Sequence, residues 1–332
     1  MLAEHLNKKL FDADIEQVPN RDGFGEGLKA AGERDKRVVA LCGDLTESTR
    51  MSVFLEAFPE RFVQVGVAEQ NMSGVASGMA AMGKIPFMAS YAMFSPGRNW
   101  EQVRTTICYN NANVKIIGSH AGVSVGPDGA THQAIEDIAI TRVIPNMTVL
   151  VPCDSIEAKK ATLAAAEHVG PVYIRLAREK TPVVTTEDTP FEIGKAQIYM
   201  SPKNGEGGEN GEKKIGIIAC GTVLYHALLA GKRLNDDGIG ASVMNLATIK
   251  PLDEEAILAY AKEHAVIVTV EEHQIAGGMG SVVAELLSER HPMKVMRVGV
   301  RDQFGQSGEP AELIKHYGID ADSIYETAKK LV

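Results

Sequence analysis

The chain contains few of the residues that mark several common protein classes. Its 332 residues include four cysteines, one tryptophan and only 5% aromatic residues. No two cysteines form a C-x-x-C pair, and each lies in or beside an apolar segment, so buried free thiols are expected instead of disulfides or zinc ligands. The four are Cys42, Cys108, Cys153 and Cys220.

Long apolar runs and excess positive charge are also absent. The apolar runs are interrupted within about ten residues, whereas a bilayer-spanning helix needs about 20. The N-terminal residues lack the basic start and continuous apolar core of a signal peptide. Lys and Arg number 34 against 43 Asp and Glu, for a net charge of -9, which argues against binding of nucleic acid. We expect a cytoplasmic enzyme that contacts no membrane.

Short apolar segments alternate with helical patterns along almost the whole chain. This alternation is typical of α/β proteins, in which helices cover both faces of a mostly parallel sheet. It is interrupted by SPKNGEGGENGEKK at 201–214, which has no large apolar residue and the composition of a surface loop or linker. The sequence predicts two α/β domains, at 1–195 and 215–332, joined by a flexible linker at 196–214.

The individual elements follow from the apolar periodicity. Strands are predicted at 38–43, 62–67, 86–91, 114–120, 147–152, 172–177, 215–221, 242–249, 266–271 and 294–300. Helices are predicted at 70–82, 99–109, 155–168, 224–234, 254–264, 281–288, 309–317 and 323–331.

A single carboxylate occupies a position where α/β sheets bind their ligands. Glu69 follows the predicted strand 62–67 and starts a helix, which places it at the carboxyl end of a strand. The alternative is a first-turn glutamate that only complements the helix dipole. Its position alone favours neither role.

A second segment has the composition of an active-site loop. Residues 119–133 read SHAGVSVGPDGATHQ, with His120 at a strand end and with Asp128 and His132 among glycines. Neutral imidazole and carboxylate groups suit a ligand with many hydroxyl groups, which both donate and accept hydrogen bonds. A zinc site is the alternative, but no H-x-x-x-H spacing or cysteine partner supports it. We predict no metal site on this chain.

The segments VGVAEQNM at 65–72 and GPDGATHQ at 126–133 resemble the pyrimidine-binding half of transketolase, an enzyme that uses thiamine diphosphate. The resemblance extends from about Arg21 to the end of the chain and implies a pyrimidine-binding domain followed by a transketolase C-terminal-like domain. In that family, the glutamate at the position of Glu69 protonates the aminopyrimidine ring. The exocyclic amine then takes its imino form and removes the thiazolium proton.

The resemblance also implies roles for other residues. Tyr91 and Phe94 would line and stack on the pyrimidine, although Tyr replaces the usual Phe at 91. Asp44 would lie at the edge of the cofactor. Arginines suit a sugar phosphate because the planar guanidinium donates two hydrogen bonds at once. The residues implied to bind the substrate are Arg21, Ser48, His120, Asp128, His132 and Arg178, of which His120 and His132 are also implied in catalysis.

Without the resemblance, several of these residues have simpler explanations. Ser48 could cap a helix, and Arg21 or Arg178 could be a solvated surface charge. Arg175 is a less suitable phosphate ligand than Arg178 because it lies inside a predicted strand.

The family's diphosphate site has no counterpart here. Thiamine enzymes hold Mg²⁺ and the diphosphate with Gly-Asp-Gly and a later asparagine, whereas Gly43-Asp44-Leu45 lacks the second glycine. The glycines at 277–280 lack the G-x-G-x-x-G pattern of a dinucleotide loop. The resemblance therefore implies a split transketolase that transfers a two-carbon ketol unit between sugar phosphates. An N-terminal subunit would carry Gly-Asp-Gly and Mg²⁺, share the cofactor with this chain and form a heterotetramer with it.

Three other functions are compatible with parts of this pattern. The β subunit of a 2-oxo acid dehydrogenase has a similar length and a matching glutamate, but is not expected to carry the DGxTHQ loop together with both arginines. Deoxyxylulose-phosphate synthase shares the loop, but normally as one long chain that includes Gly-Asp-Gly. A non-catalytic scaffold subunit is the alternative from a different class.

Overall fold

The computed structural model describes residues 1–202 and 215–331. Most of the predicted linker, residues 203–214, lies outside this part of the chain. The strands are β1 (Gln17–Pro19), β2 (Val38–Cys42), β3 (Phe62–Gln64), β4 (Ile85–Tyr91), β5 (Lys115–Ser119), β6 (Thr148–Leu150), β7 (Val172–Arg175), β8 (Lys180–Pro182), β9 (Gln197–Met200), β10 (Ile215–Ala219), β11 (Ala241–Asn245), β12 (Thr248–Lys250), β13 (Val266–Gln274) and β14 (Val295–Val300).

The α-helices are short to medium in length, and a π-helical turn at Val103–Cys108 continues the fourth of them. Among the described residues, no helix has the length and apolar content that a membrane span requires. The helices are α1 (Asn20–Arg34), α2 (Ser52–Ala57), α3 (Glu69–Ala81), α4 (Trp100–Gln102), α5 (Asp137–Arg142), α6 (Ser155–Glu167), α7 (Leu224–Asp236), α8 (Glu254–Lys262), α9 (Met279–Arg290), α10 (Pro310–His316) and α11 (Ala321–Lys329).

The first sheet has seven strands in the order β12-β6-β7-β5-β4-β2-β3. All neighbours in it are parallel except β12, which runs antiparallel to β6. Successive side chains of a strand point to opposite faces, so alternate residues of β2 enter two separate cores. One core contains α1, α2 and α6, and the other contains α3 and the π-helical turn. The predicted fold class, α/β with covered parallel sheets, is confirmed.

The second sheet has five strands in the order β14-β13-β10-β11-β9, and only β9 is antiparallel to its neighbour. Helices α7, α10 and α11 pack on one face. Helices α8 and α9 pack on the other face, in a core that is continuous with the α3 side of the first sheet. The two domains therefore share a hydrophobic core.

Two predicted segments differ from the structure. The predicted strand 242–249 is two strands, because the chain leaves the second sheet after β11 and adds β12 to the edge of the first. The predicted linker 196–214 begins with β9, which pairs with β11. An apolar run indicates extended structure, but it does not show which sheet the segment joins. The domain boundaries at 195 and 215 therefore stay predictions.

A buried glutamate lies where the two domains meet. The Glu157 carboxylate accepts hydrogen bonds from the Cys153 amide at 2.6 Å and from the Asn245 side chain at 2.7 Å. Burial, together with the charge of Asp154, raises the pKa of Glu157 to about 7. The carbonyl oxygen of the Asn245 side chain is buried without a partner. If the Asn245 amide group were rotated by 180°, its oxygen would face Glu157, and a protonated Glu157 carboxyl would donate a hydrogen bond to it.

This raised pKa predicts a loss of stability with rising pH. The folded state keeps the Glu157 proton up to about pH 7, whereas the unfolded chain releases it near pH 4.5. The contribution is therefore complete below the unfolded pKa and is lost as the pH rises through the folded pKa, by about 3 kcal/mol. Glu157→Gln, which stays neutral, should remove this pH dependence. Urea unfolding of both proteins at several pH values measures the difference, and parallel curves would contradict the prediction.

Candidate active site

The predicted site residues gather at the carboxyl edge of the first sheet. Glu69 is the first residue of α3, which follows β3, and Tyr91 ends β4. His120 comes directly after β5. Parallel neighbouring strands end at the same edge of a sheet, where open α/β sheets bind their ligands. The topology thus brings together residues that are far apart in the sequence.

Glu69 is a buried carboxylate with an exposed cationic partner. Its side chain is 1% exposed, and Arg98, which is 53% exposed, donates a hydrogen bond to Oε2 at 3.2 Å. Within residues 1–202 and 215–331, Arg98 is the only side chain that donates a hydrogen bond to the Glu69 carboxylate. Asn99 donates to the Glu69 carbonyl at 3.2 Å and to Ser73 Oγ at 2.8 Å, which fixes the start of α3. The arginine lies on the open side of an otherwise buried group.

Four rings form an aromatic cluster beside this carboxylate. Tyr91 stacks on His120 with ring centroids 3.9 Å apart and is nearly parallel to Phe94 at 6.1 Å. His132 presents its edge to Phe94 at 5.4 Å and to Tyr91 at 6.2 Å. Arg98 extends over Phe94 at 5.5 Å and so links the cluster to Glu69. Both predicted aromatic residues and both predicted histidines therefore belong to one cluster.

His120 is neutral at physiological pH. Burial, with further effects of the Arg21 and Arg178 charges, lowers its pKa to about 3. Arg21 Nη1 lies 3.4 Å from His120 Nε2, and since arginine has no acceptor, Nε2 accepts. Nδ1 then carries the proton and donates to Ser119 Oγ at 2.9 Å. The two neighbours thus assign the tautomer of the ring.

The predicted substrate residues form two contacting groups. Arg21 Nη1 donates to the Ser48 carbonyl at 2.6 Å, so Ser48 contributes its backbone to the contact. Arg178 donates to the Val125 carbonyl at 2.6 Å and lies 3.8 Å from Asp128 Oδ1. The charges of Arg21 and Arg178 both act on His120. The positive charges of Arg21 and Arg178 therefore lie close to His120.

Asp44 is the predicted residue that is not joined to the cluster. It lies beyond the end of β2 with an exposed side chain and a positive φ of 64°. Its amide donates to the Gln64 side chain at 2.8 Å. Among the described residues, no hydrogen bond or ion pair joins Asp44 to the aromatic cluster. A role at the edge of the cofactor stays a prediction.

Sequence reasoning missed the partners of Glu69 and His120. Arg98, Asn99 and Ser119 were not predicted as site residues, although each makes a defining contact. Arg98 and Asn99 lie about thirty residues after Glu69. Contacts at that separation depend on how β4 and α3 pack, which no local pattern reveals. Among the described residues, no group of three or more His, Cys, Asp or Glu side chains is arranged to hold a metal ion.

The lowered pKa of His120 gives a direct test of the site geometry. We expect the ring to stay neutral, with the proton on Nδ1, between about pH 5 and pH 8, because burial disfavours the imidazolium form. Long-range ¹H–¹⁵N NMR of labelled histidines reports both the tautomer and the titration. Unfolding in urea should restore a normal titration. A His120 signal that titrates near pH 6.5 in the folded chain would contradict this arrangement.

Comparisons with known proteins identify the family of the chain. Residues 16–183 match the family model for the transketolase pyrimidine binding domain, and residues 209–324 match that for the transketolase C-terminal domain. The chain is 45% identical to a putative transketolase C-terminal section from Methanocaldococcus jannaschii, over 92% of this chain and 93% of that protein.

Two further relatives have more specific names. A 6-deoxy-6-sulfo-D-fructose transketolase subunit from a Clostridium species is 40% identical over 97% of each chain. One of the subunits of an apulose-4-phosphate transketolase from Phocaeicola vulgatus is 37% identical over 94% of this chain and 97% of that one.

One solved structure covers almost the same length. A split gene transketolase, described as an inactive β4 tetramer, superimposes with a TM-score of 0.85 at 42% identity, over 94% of this chain and 98% of that one. Together with the two family matches, this confirms the resemblance seen in the sequence. The chain belongs to the transketolase family and contains the pyrimidine-binding and C-terminal domains of a split transketolase.

Proposed function

We propose that this chain is one subunit of a two-chain transketolase that transfers a two-carbon ketol unit between sugar phosphates. The buried Glu69 beside an aromatic cluster carries this proposal, because a flat heterocycle with a basic edge would meet both an acceptor and a stacking surface there. Arg21 and Arg178 at the same edge suit a sugar with a terminal anionic group. The family match supports dependence on thiamine diphosphate.

The residues present fit the pyrimidine half of the cofactor. Glu69 is 1% exposed and accepts a hydrogen bond from Arg98 alone among the described side chains. A carboxylate placed beside a ring nitrogen can form a hydrogen bond with it and act in proton transfer. Tyr91 and Phe94 offer nearly parallel ring faces. When bound, thiamine diphosphate supplies the nucleophilic carbon that takes up the two-carbon unit.

The other residues orient the sugar. His120 acts as a hydrogen-bond partner instead of a base, since its pKa of about 3 leaves it neutral and weakly basic. Asp128 and His132 would bind sugar hydroxyls, because the segment that carries them approaches the aromatic cluster through His132. Arg21 and Arg178 would grip the phosphate, each with one Nη1 group already fixed by a backbone carbonyl. Asp44 would approach the cofactor from the end of β2.

The diphosphate and Mg²⁺ would be held by an N-terminal partner subunit that carries Gly-Asp-Gly. The related split gene transketolase of β chains alone is described as inactive, which supports a requirement for a second chain here. We propose a cytoplasmic heterotetramer of two chains of each kind. The named substrates of two relatives, a sulfofructose and apulose 4-phosphate, make the exact sugars part of the test.

The first experiment combines this chain with its candidate N-terminal subunit, thiamine diphosphate and Mg²⁺. Ketol transfer from xylulose 5-phosphate to ribose 5-phosphate should require both chains. Glu69→Gln should lower kcat by about 10²- to 10⁴-fold, because the amide cannot exchange a proton. Glu254→Ala is the matched control, since Glu254 also begins a helix but is 55% exposed.

The outcomes of this assay separate the alternatives. Full activity of this chain alone would refute the two-subunit proposal. A fully active Glu69→Gln variant would show that Glu69 is not needed for proton transfer and only complements the helix dipole. The pair could instead bind the cofactor and turn over a sulfo sugar or apulose 4-phosphate, but not these two sugars. That result would assign a different substrate to the same chemistry.

Arg178 gives a second, independent test. Arg178→Gln should raise KM for phosphorylated sugars about tenfold or more, because a charge-assisted hydrogen bond to phosphate is lost. KM for an unphosphorylated ketose should change little. Steady-state kinetics with matched pairs of phosphorylated and unphosphorylated sugars makes this measurement. An equal rise in KM for both kinds of sugar would instead assign Arg178 to holding the backbone at Val125.

A further inference from the structure

A segment of the second domain lies against the loop that carries the predicted substrate residues. We call residues 120–133 the site loop and residues 304–307, between β14 and α10, the clasp. Val123 of the site loop is buried in one hydrophobic core with Leu313 and Ile314 of α10. Ser124 donates its amide to the buried Glu272 carboxylate on β13 at 2.6 Å. The site loop is therefore packed against the second domain.

Gln133 connects the clasp to the site loop. Its side chain is 2% exposed, and Nε2 lies 2.9 Å from the Val123 carbonyl and 3.0 Å from the Gln306 carbonyl. It also lies 3.4 Å from the Gly126 carbonyl. All three neighbours are acceptors, so only the NH₂ group of the amide can face them. Gln133 directly follows His132, so its buried contacts anchor the end of the site loop next to the imidazole.

Two glycines permit the close approach of the clasp. A Cβ at Gly305 would lie 1.7 Å from Gln133 Oε1, so a methyl group there would have to displace the buried glutamine amide. A Cβ at Gly129, next to Asp128, would lie 2.6 Å from Ser307 Oγ. The clasp is thus fitted against both residues that flank the predicted sugar ligands. The clasp therefore approaches Asp128 and His132 through their neighbours in the chain, Gly129 and Gln133.

We propose that the clasp positions Asp128 and His132 through Gln133, so that the second domain sets the affinity for the sugar. Gln133 is a positioning residue under this proposal, since its NH₂ group is hydrogen-bonded to backbone carbonyls. The role of Asp128 and His132 as sugar ligands rests on the proposed function. The coupling of the clasp to the site loop rests on the contacts of Gln133 and Gly129 and not on that role, so the two parts are tested separately.

The coupling is tested on the full chain with Gln133→Ala, Gly305→Ala and the double variant. Hydrogen–deuterium exchange should rise in the site loop in both single variants, and the double variant should resemble Gln133→Ala, because the added methyl meets no glutamine there. Asn235→Ala is the matched control. That amide also bridges backbone groups, at the Ala241 carbonyl and amide, but wholly inside the second domain.

Kinetics of the complete two-chain enzyme test the effect on the substrate. Both single variants should lower kcat/KM for sugar phosphates about 10- to 100-fold, mostly through KM. The dissociation constant of thiamine diphosphate should stay within about twofold of wild type. Gln133→Glu, which loses the donor but keeps the shape, should behave like the alanine variant. Asn235→Ala should leave kcat/KM unchanged.

Three results would overturn the proposal. One is site-loop exchange that is unchanged, or that rises equally in Asn235→Ala. Another is an additive loss in the double variant. The third is a loss of cofactor affinity in step with kcat/KM. If the wild-type pair turns over no sugar phosphate, the proposed function fails, whereas the exchange experiment still decides the coupling.

Discussion

A buried ion pair at the junction of the two domains underlies the geometry of the site. Arg175 on β7 donates to Asp137 Oδ2 at 2.8 Å, and both side chains are almost fully buried. The same guanidinium donates to the Glu272 carbonyl on β13 at 2.8 Å and approaches the Ala134 carbonyl at 3.3 Å. One side chain thus connects both domains to the end of the site loop.

The electrostatics of this junction explain why the arginine can be buried. Burial alone would lower the pKa of Arg175, but the Asp137 and Glu272 carboxylates raise it above its ordinary value. Tyr173 adds a hydrogen bond to Asp137 at 2.7 Å. Removing one partner of such a pair leaves an uncompensated buried charge and costs about 3–5 kcal/mol. Relative motion of the domains is therefore unfavourable. The site loop packs between the two domains, so its motion is restricted as well.

The site itself combines rigid positioning with a few open charges. His120 is held neutral between two arginines, while Glu69 is buried apart from its contact with the exposed Arg98. The catalytic contribution of such a site comes from groups that are oriented before the ligand arrives. The second domain, which carries no chemical motif of its own, contacts the site loop through Glu272 and Gln306.

Local sequence determined much of this protein. Apolar periodicity located most strands and helices, because a buried face imposes its period on the residues that form it. The segments around Asp128 and Glu69 indicated a candidate site, because the residue types of the first suit a polar ligand and both resemble the transketolase motifs. Helix α1 was missed because its glycines disfavour helix, and burial against α6 compensates in the structure.

Tertiary structure alone decided the rest. No local pattern assigns β12 to the first sheet, pairs Arg98 with Glu69, or brings Gln306 to Gln133, since each of these contacts joins residues far apart in the chain. The sequence set which residues are buried or polar, and hence which elements form. The partners of each residue follow from how those elements pack, because contact energies depend on distances that only the assembled fold establishes.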